Sequence, residues 1–137
     1  MSMSKGSCEM WSSYAQAVLR VVSAYMFMLH GAAKLLHVPH IASYDNLQIF
    51  SLIGLAGVLE LVFGGLLLIG LFARAAAFIL SGEMAVAYFM AHASQGNPLF
   101  PLMNGGEPAV LYCFIFLFLA VAGAGACSID RLRGAKC

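Results

Sequence analysis

The run RAAAFILSGEMAVAYFMAH, from Arg74 to His92, constrains this chain more than any other stretch: it is apolar enough to cross a bilayer, yet it carries a carboxylate at its middle and a histidine at its end. A glutamate deep in an apolar span costs several kcal/mol unless it is protonated, paired or hydrated. Glu83 is therefore the first candidate functional residue, and the rest of the chain must explain it. The loop that follows carries no charge until Glu107, where Asn104-Gly105-Gly106 marks a turn into another apolar run.

Four apolar segments can be marked: Ala15 to Leu36, Ser51 to Phe72, Ala75 to His92, and Ala109 to Gly125. Each approaches the ~20 residues that cross ~30 Å of hydrocarbon. Spans of this kind must satisfy their backbone groups internally, which makes them helices. Only 9% of the residues are charged and 62% are hydrophobic, with a mean hydropathy of +0.90. A soluble domain carries about 25% charged residues, so lipid must cover this surface. The expected fold class is all-α: an integral-membrane four-helix bundle over residues 15–125, with an N-terminal segment 1–14 and a C-terminal tail 126–137. The polar, serine-rich start before Ala15 imitates a signal peptide, but the run to Leu36 exceeds the ~7 to 15 residues of a signal core. A retained helix is expected.

The second and third segments are joined only by Ala73 and Arg74, which predicts a tight antiparallel hairpin. The other two connections are longer than the ~2 to 8 residues usual in bundles. Of the seven basic residues, Lys5, Arg20, Arg74, Arg131, Arg133 and Lys136 fall on the side of the termini and the short turn, and Lys34 alone falls on the other. The positive-inside rule then puts both termini in the cytoplasm and both long loops outside. A net charge of +1 offers nucleic acid no basic patch. Cys8, Cys113, Cys127 and Cys137 form no CxxC pair and show no metal-ligand spacing.

At 100° per residue, Arg20, Ser23, Phe27, His30 and Lys34 lie on one stripe of the first helix, which should face other helices or a wet cavity. The bland alternative is that Arg20 and Lys34 snorkel to the two interfaces. Gly57, Glu60 and Gly64 share a face of the second helix, and small residues there admit a close neighbour. Counting ~1.5 Å per residue from the cytoplasmic edge puts Arg20 at about 7 Å, Glu83 at about 12 Å, Glu60 at about 16 to 18 Å and His30 at about 22 Å. The depths suggest Arg20 with Glu83, and either His30 or Lys34 with Glu60. His92 falls half a turn away from Glu83 on an ideal helix, so the two share a face only if the helix ends or bends first. It fits better at the outward mouth with Asn97, Asn104 and Glu107. The loop from Ala93 to Glu107, with Phe100 between two prolines, is expected to fold back as a lid that joins His92 and Asn104 to Lys34 or Glu60 in one network. The bland alternative has Phe100 and Leu102 dip into lipid.

Two chemistries remain open on these residues. Carboxylates and histidines beside an apolar cavity can donate to quinone carbonyls or relay their protons, or they only fix the packing of helices that have no hydrophobic force between them. A haem between His30 and His92 is conceivable, though lone membrane histidines say little.

The stretches LHGAAKLL at 29–36, ELVFGGLLLIGLFAR at 60–74, GEMAVAYFMAH at 82–92 and NGGEPAVLYC at 104–113 resemble the DoxX-like proteins, and the resemblance runs over about residues 15–130. It implies a small four-helix protein of the bacterial inner membrane, similar to subunits of thiosulfate:quinone oxidoreductases and other membrane redox complexes. It implies further that His30, Lys34, Glu60, Glu83, His92, Asn104 and Glu107 are the motif positions that bind a ligand, quinone being the candidate. Disulfide-forming relatives of the same shape carry paired cysteines that this chain lacks. The partners expected are the lipid bilayer and a protein subunit or a second copy. The alternatives are a non-catalytic membrane scaffold or assembly partner and, less favoured, a small transporter, since four helices seldom enclose a path without oligomerising.

Overall fold

The computed structural model describes residues 5–134; Lys136 and Cys137, counted above on the side of the termini, lie outside them. All secondary structure among the described residues is helical: α1 (Lys5–Leu35), α2 (Leu52–Ile69), α3 (Ala73–Ala87), α4 (Pro101–Asn104), α5 (Glu107–Ala122) and α6 (Ile129–Leu132). A π-helical turn, Tyr88–His92, and a 3-10 turn, Ala93–Gln95, prolong α3, so that its apolar span runs 23 residues from Ala73 to Gln95. This span, α1 and α2 are the three helices long and apolar enough to cross a membrane. The antiparallel pair α1 and α2 packs beside the pair α3 and α5, with α2 against α3.

Helices occupy the four predicted apolar segments, with three differences in their ends. Helix α1 starts at Lys5, so it takes in most of the segment 1–14 that was expected to precede it. The hairpin turn lies at Gly70–Phe72 and not at Ala73-Arg74. Gly70 ends α2 in the left-handed region at φ 69°, which glycine adopts without steric cost. Asp130 then starts α3 from the far end of the chain, accepting hydrogen bonds from the amides of Phe72 and Ala73 at 2.9 and 2.8 Å. Finally, α5 stops at Ala122, because Gly123 leaves helical geometry at φ 92°. Its 16 residues reach about 24 Å at ~1.5 Å each, less than the ~30 Å of a typical hydrocarbon core.

Glycine sets the distance between α1 and α2. A Cβ on Gly31 would meet the Gly57 carbonyl oxygen at 2.8 Å, and one on Gly57 would meet Lys34 Cβ at 3.1 Å. Small residues at such positions bring membrane helices into van der Waals contact.

Arg20 closes one end of the bundle. Its side chain is fully buried and the expected partner, Glu83, is not what it meets. The guanidinium donates to the carbonyls of Leu67, Leu68, Ala124 and Cys127 at 2.5–2.9 Å. The last carbonyls of a helix run short of amide partners; Leu67 O has only that of the Gly70 cap at 3.1 Å, and a guanidinium brings five donors in a fixed fork. Gln16 donates to Gly123 O at 2.6 Å, and the Ala126 amide to Ser13 O at 3.1 Å. The first part of α1, the α2–α3 turn and the C-terminal segment are thus tied into one end of the bundle, the turn end; the two long loops lie at the other, the loop end. Replacing Arg20 with Met should lower unfolding stability in detergent by at least about 2 kcal/mol, because buried acceptors lose their donors. Arg20→Lys should recover only part of this, as an ammonium lacks the fork. An unchanged unfolding midpoint in Arg20→Met would show that the carbonyls find other donors.

Candidate functional site

Toward the loop end the four main helices part around a cavity of about 560 Å³. Lys34, in the last turn of α1, projects toward α2 with its backbone held close by the glycine face of its partner. Its Nζ lies 2.5 Å from Glu60 Oε1, with 12% of the Lys34 side chain and 2% of the Glu60 side chain exposed. The pairing left open between His30 and Lys34 thus falls to Lys34, which does not snorkel. A cation at the C-terminus of a helix also meets the negative end of the helix dipole.

His30 lines the same cavity one turn earlier, its ring 6.4 Å from those of Phe27 and Tyr112. Phe27 itself packs on Tyr112 at 5.2 Å and edge-on to Phe116 at 4.9 Å, which bridges α1 to α5. Glu83 enters from α3. Both of its carboxylate oxygens, and Oε2 of Glu60, are buried without a hydrogen-bond partner among the described residues. Buried polar atoms are seldom left so.

His92 also lines the cavity. On an ideal helix it would face away from Glu83; the π-helical turn at Tyr88–His92 changes the winding between them. Such turns recur at functional sites. His92 Nδ1 lies 3.2 Å from the Asn104 carbonyl oxygen, and its ring stacks on Tyr88. Asn104, buried in the loop, donates from Nδ2 to Tyr88 Oη at 3.2 Å and to Asn97 O at 3.4 Å, and its Oδ1 accepts from the Gly106 amide at 2.9 Å. Tyr88 Oη donates to Pro98 O at 2.6 Å.

His30, Lys34, Glu60, Glu83 and His92 therefore come together on one cavity, and two other predicted residues do not. Asn104 holds the loop and lies outside the cavity lining, while Glu107 is exposed at the N-terminus of α5, where a carboxylate suits the dipole. The expected single network is also corrected. Among the described residues no hydrogen bond joins His92 or Asn104 to Lys34 or Glu60, since the Asn104 amide is used on Tyr88, Asn97 and Gly106. Nor do the loop's apolar residues cover the bundle: Leu99, Phe100, Leu102 and Met103 are each more than half exposed. Tyr88 and Tyr112 escaped the sequence reading. The signal available was that of an aromatic residue with a polar tip inside an apolar span, which needs a partner when buried.

Long apolar helices around a cavity of buried ionisable groups define a helical membrane protein. The chain belongs to the DoxX family, whose model matches residues 15–93. That match takes in Lys34, Glu60, Glu83 and His92 and ends before Asn104. An uncharacterized protein of Haemophilus influenzae is 50% identical over 125 residues, which cover 90% of this chain and 93% of that protein. No solved structure matches.

Removing one partner of the Lys34–Glu60 pair leaves an unpaired buried group. Lys34→Met and Glu60→Gln should each cost about 3–5 kcal/mol, and the double variant should cost less than their sum. Unfolding of all four forms in one detergent measures the coupling; strict additivity would mean that the two groups do not interact.

Proposed function

We propose that this protein is a membrane subunit of a redox complex in the bacterial inner membrane, holding a quinone or a similar small apolar molecule in the cavity between its helices. The observation that carries the reading is the combination in one cavity of apolar walls with the Lys34–Glu60 pair and three carboxylate oxygens that have no hydrogen-bond partner among the described residues. Pockets with few polar groups on apolar walls are the common form of a small-molecule site. A quinone ring fits both needs: its faces suit Phe27 and Tyr112, and its oxygens suit polar partners. Lys34 Nζ keeps donors beyond the one on Glu60. Glu83 accepts when ionised and donates when protonated, so it can hold or pass a proton at either oxygen. Bound quinone would supply the electron chemistry; these residues orient the ring, exclude water and hold the proton.

In this reading α5 is a fourth span, short for the bilayer and accommodated by local thinning or by flanking residues. The turn end carries most of the basic residues and faces the cytoplasm. A protein partner or a second copy completes the assembly. The second reading, a non-catalytic scaffold, draws on Leu99 and Met103, exposed by 81% and 82% at the loop end, where a partner subunit or lipid would cover them.

Protein isolated in native-lipid discs should carry bound quinone. Glu83→Gln should reduce that quinone by about tenfold while leaving the thermal midpoint in place. Wild-type protein without bound or bindable quinone would sink the reading in favour of the scaffold. For topology, a membrane-impermeant thiol reagent on whole cells should label Gly96→Cys and spare Arg74→Cys; labelling of Arg74→Cys from outside would reverse the orientation.

A further inference from the structure

The cavity is flanked by packed rings on one side and is open on another. Tyr44, from the loop after α1, lines it at the loop end, as does His92, which the buried Asn104 holds in place. Between α1 and α5 the rings of Phe27, Tyr112 and Phe116 are in contact. Helix α2 uses Gly54, Gly57, Glu60, Gly64 and Leu67 as its buried positions. Leu52, Ile53 and Leu55 border the cavity and are nevertheless at least half exposed, as are Val86 and Met90 on α3. Residues that are at once lining and exposed mark where a cavity meets its surroundings. Here they flank the cleft between α2 and α3, and for a bundle that spans the bilayer such surroundings would be hydrocarbon.

Gly82 sits on the rim of that cleft, beside Glu83. Glycine is disfavoured relative to alanine inside a helix, and Gly31, Gly57 and Gly64 each answer to a close neighbour. Gly82 does not: a Cβ built there meets nothing within 4 Å. Packing of the chain on itself therefore does not account for it. What the glycine provides is a notch in the rim, one residue from a carboxylate that has no hydrogen-bond partner among the described residues.

We infer that the ligand loads sideways from the bilayer through the cleft between α2 and α3, and that it carries a long apolar tail, which lies in the cleft at Gly82 while the polar head reaches Glu60 and Glu83. The inference rests on the small-molecule reading of the cavity and narrows it to tail-bearing, membrane-resident compounds. Polar atoms at depth and aliphatic side chains at the rim match a head and a tail in that order. A short, water-soluble compound would make no use of the apolar rim at Leu52, Leu55 and Val86.

The test uses the full chain in phospholipid discs and two probes: a benzoquinone with a decyl tail ending in a diazirine, and the same benzoquinone without a tail. Illumination of the wild type should attach the tail to α2 and α3 residues at the cleft, with the tailless ring binding at least about tenfold more weakly. Gly82→Phe, which fills the notch, should weaken binding of the tailed probe by at least about tenfold, and Gly82→Ala, which fills less of it, should weaken it by a smaller factor. Tail labels in the loops at 36–50 or 96–106, or equal binding of both probes that Gly82→Phe leaves unchanged, would overturn lateral loading and leave the quinone site standing. Failure of the wild type to bind either probe would remove the quinone site and this inference together. The labelling map comes from the wild type, so it decides the matter even if Gly82→Phe does not fold.

Discussion

A polar group inside hydrocarbon has only the partners that the chain itself supplies, and the two ends of this bundle answer that constraint differently. At the turn end it is met in full. The Arg20 guanidinium, fully buried, is satisfied by four carbonyls drawn from α2 and the C-terminal segment, and Asp130 satisfies the first amides of α3. Among the described residues no carboxylate makes a salt bridge with Arg20, and backbone dipoles do the work of a counter-ion. The three parts of the chain that meet at this end are held together by those bonds.

At the loop end the same constraint is met only in part. Lys34 and Glu60 neutralise each other, but one oxygen of Glu60 and both of Glu83 have no partner among the described residues. An arrangement that served packing alone would gain from replacing these groups by apolar ones of similar volume. Their position on an apolar cavity is what supports the proposed ligand over a purely structural role. The glycine face of α2 links the two features, since the approach it permits lets Lys34 reach Glu60 and also leaves the opposite face of α2 free to border the cavity.

Much of the fold was legible in one dimension because hydrocarbon leaves the backbone few choices. Run length and composition located the helices, and the spacing of Gly57, Glu60 and Gly64 identified the face of α2 that packs. The polar stripe of α1 was legible for the same reason, as was the need of Glu83 for an explanation. Where the chain turns was less so. The turn falls at Gly70–Phe72 because Gly70 ends α2 in the left-handed region and Asp130, distant in sequence, caps α3; the glycine is a local signal, the cap is not.

The sequence by itself determined that this is a helical membrane protein of the DoxX kind with ionisable groups at depth, since apolar run length and a carboxylate in its midst are one-dimensional facts. Only the tertiary structure decided the partners: Lys34 over His30 for Glu60, and carbonyls over Glu83 for Arg20. Helical wheels and depth counts leave such choices open because several groups share a level within a long side chain's reach. The separation of Asn104 from the cavity was likewise decided in three dimensions, by its bonds to Tyr88, Asn97 and Gly106, and the place of His92 on the cavity by a π-helical turn at the end of α3. The winding of a helix over five residues is set by what packs on it, which no count at 100° per residue contains.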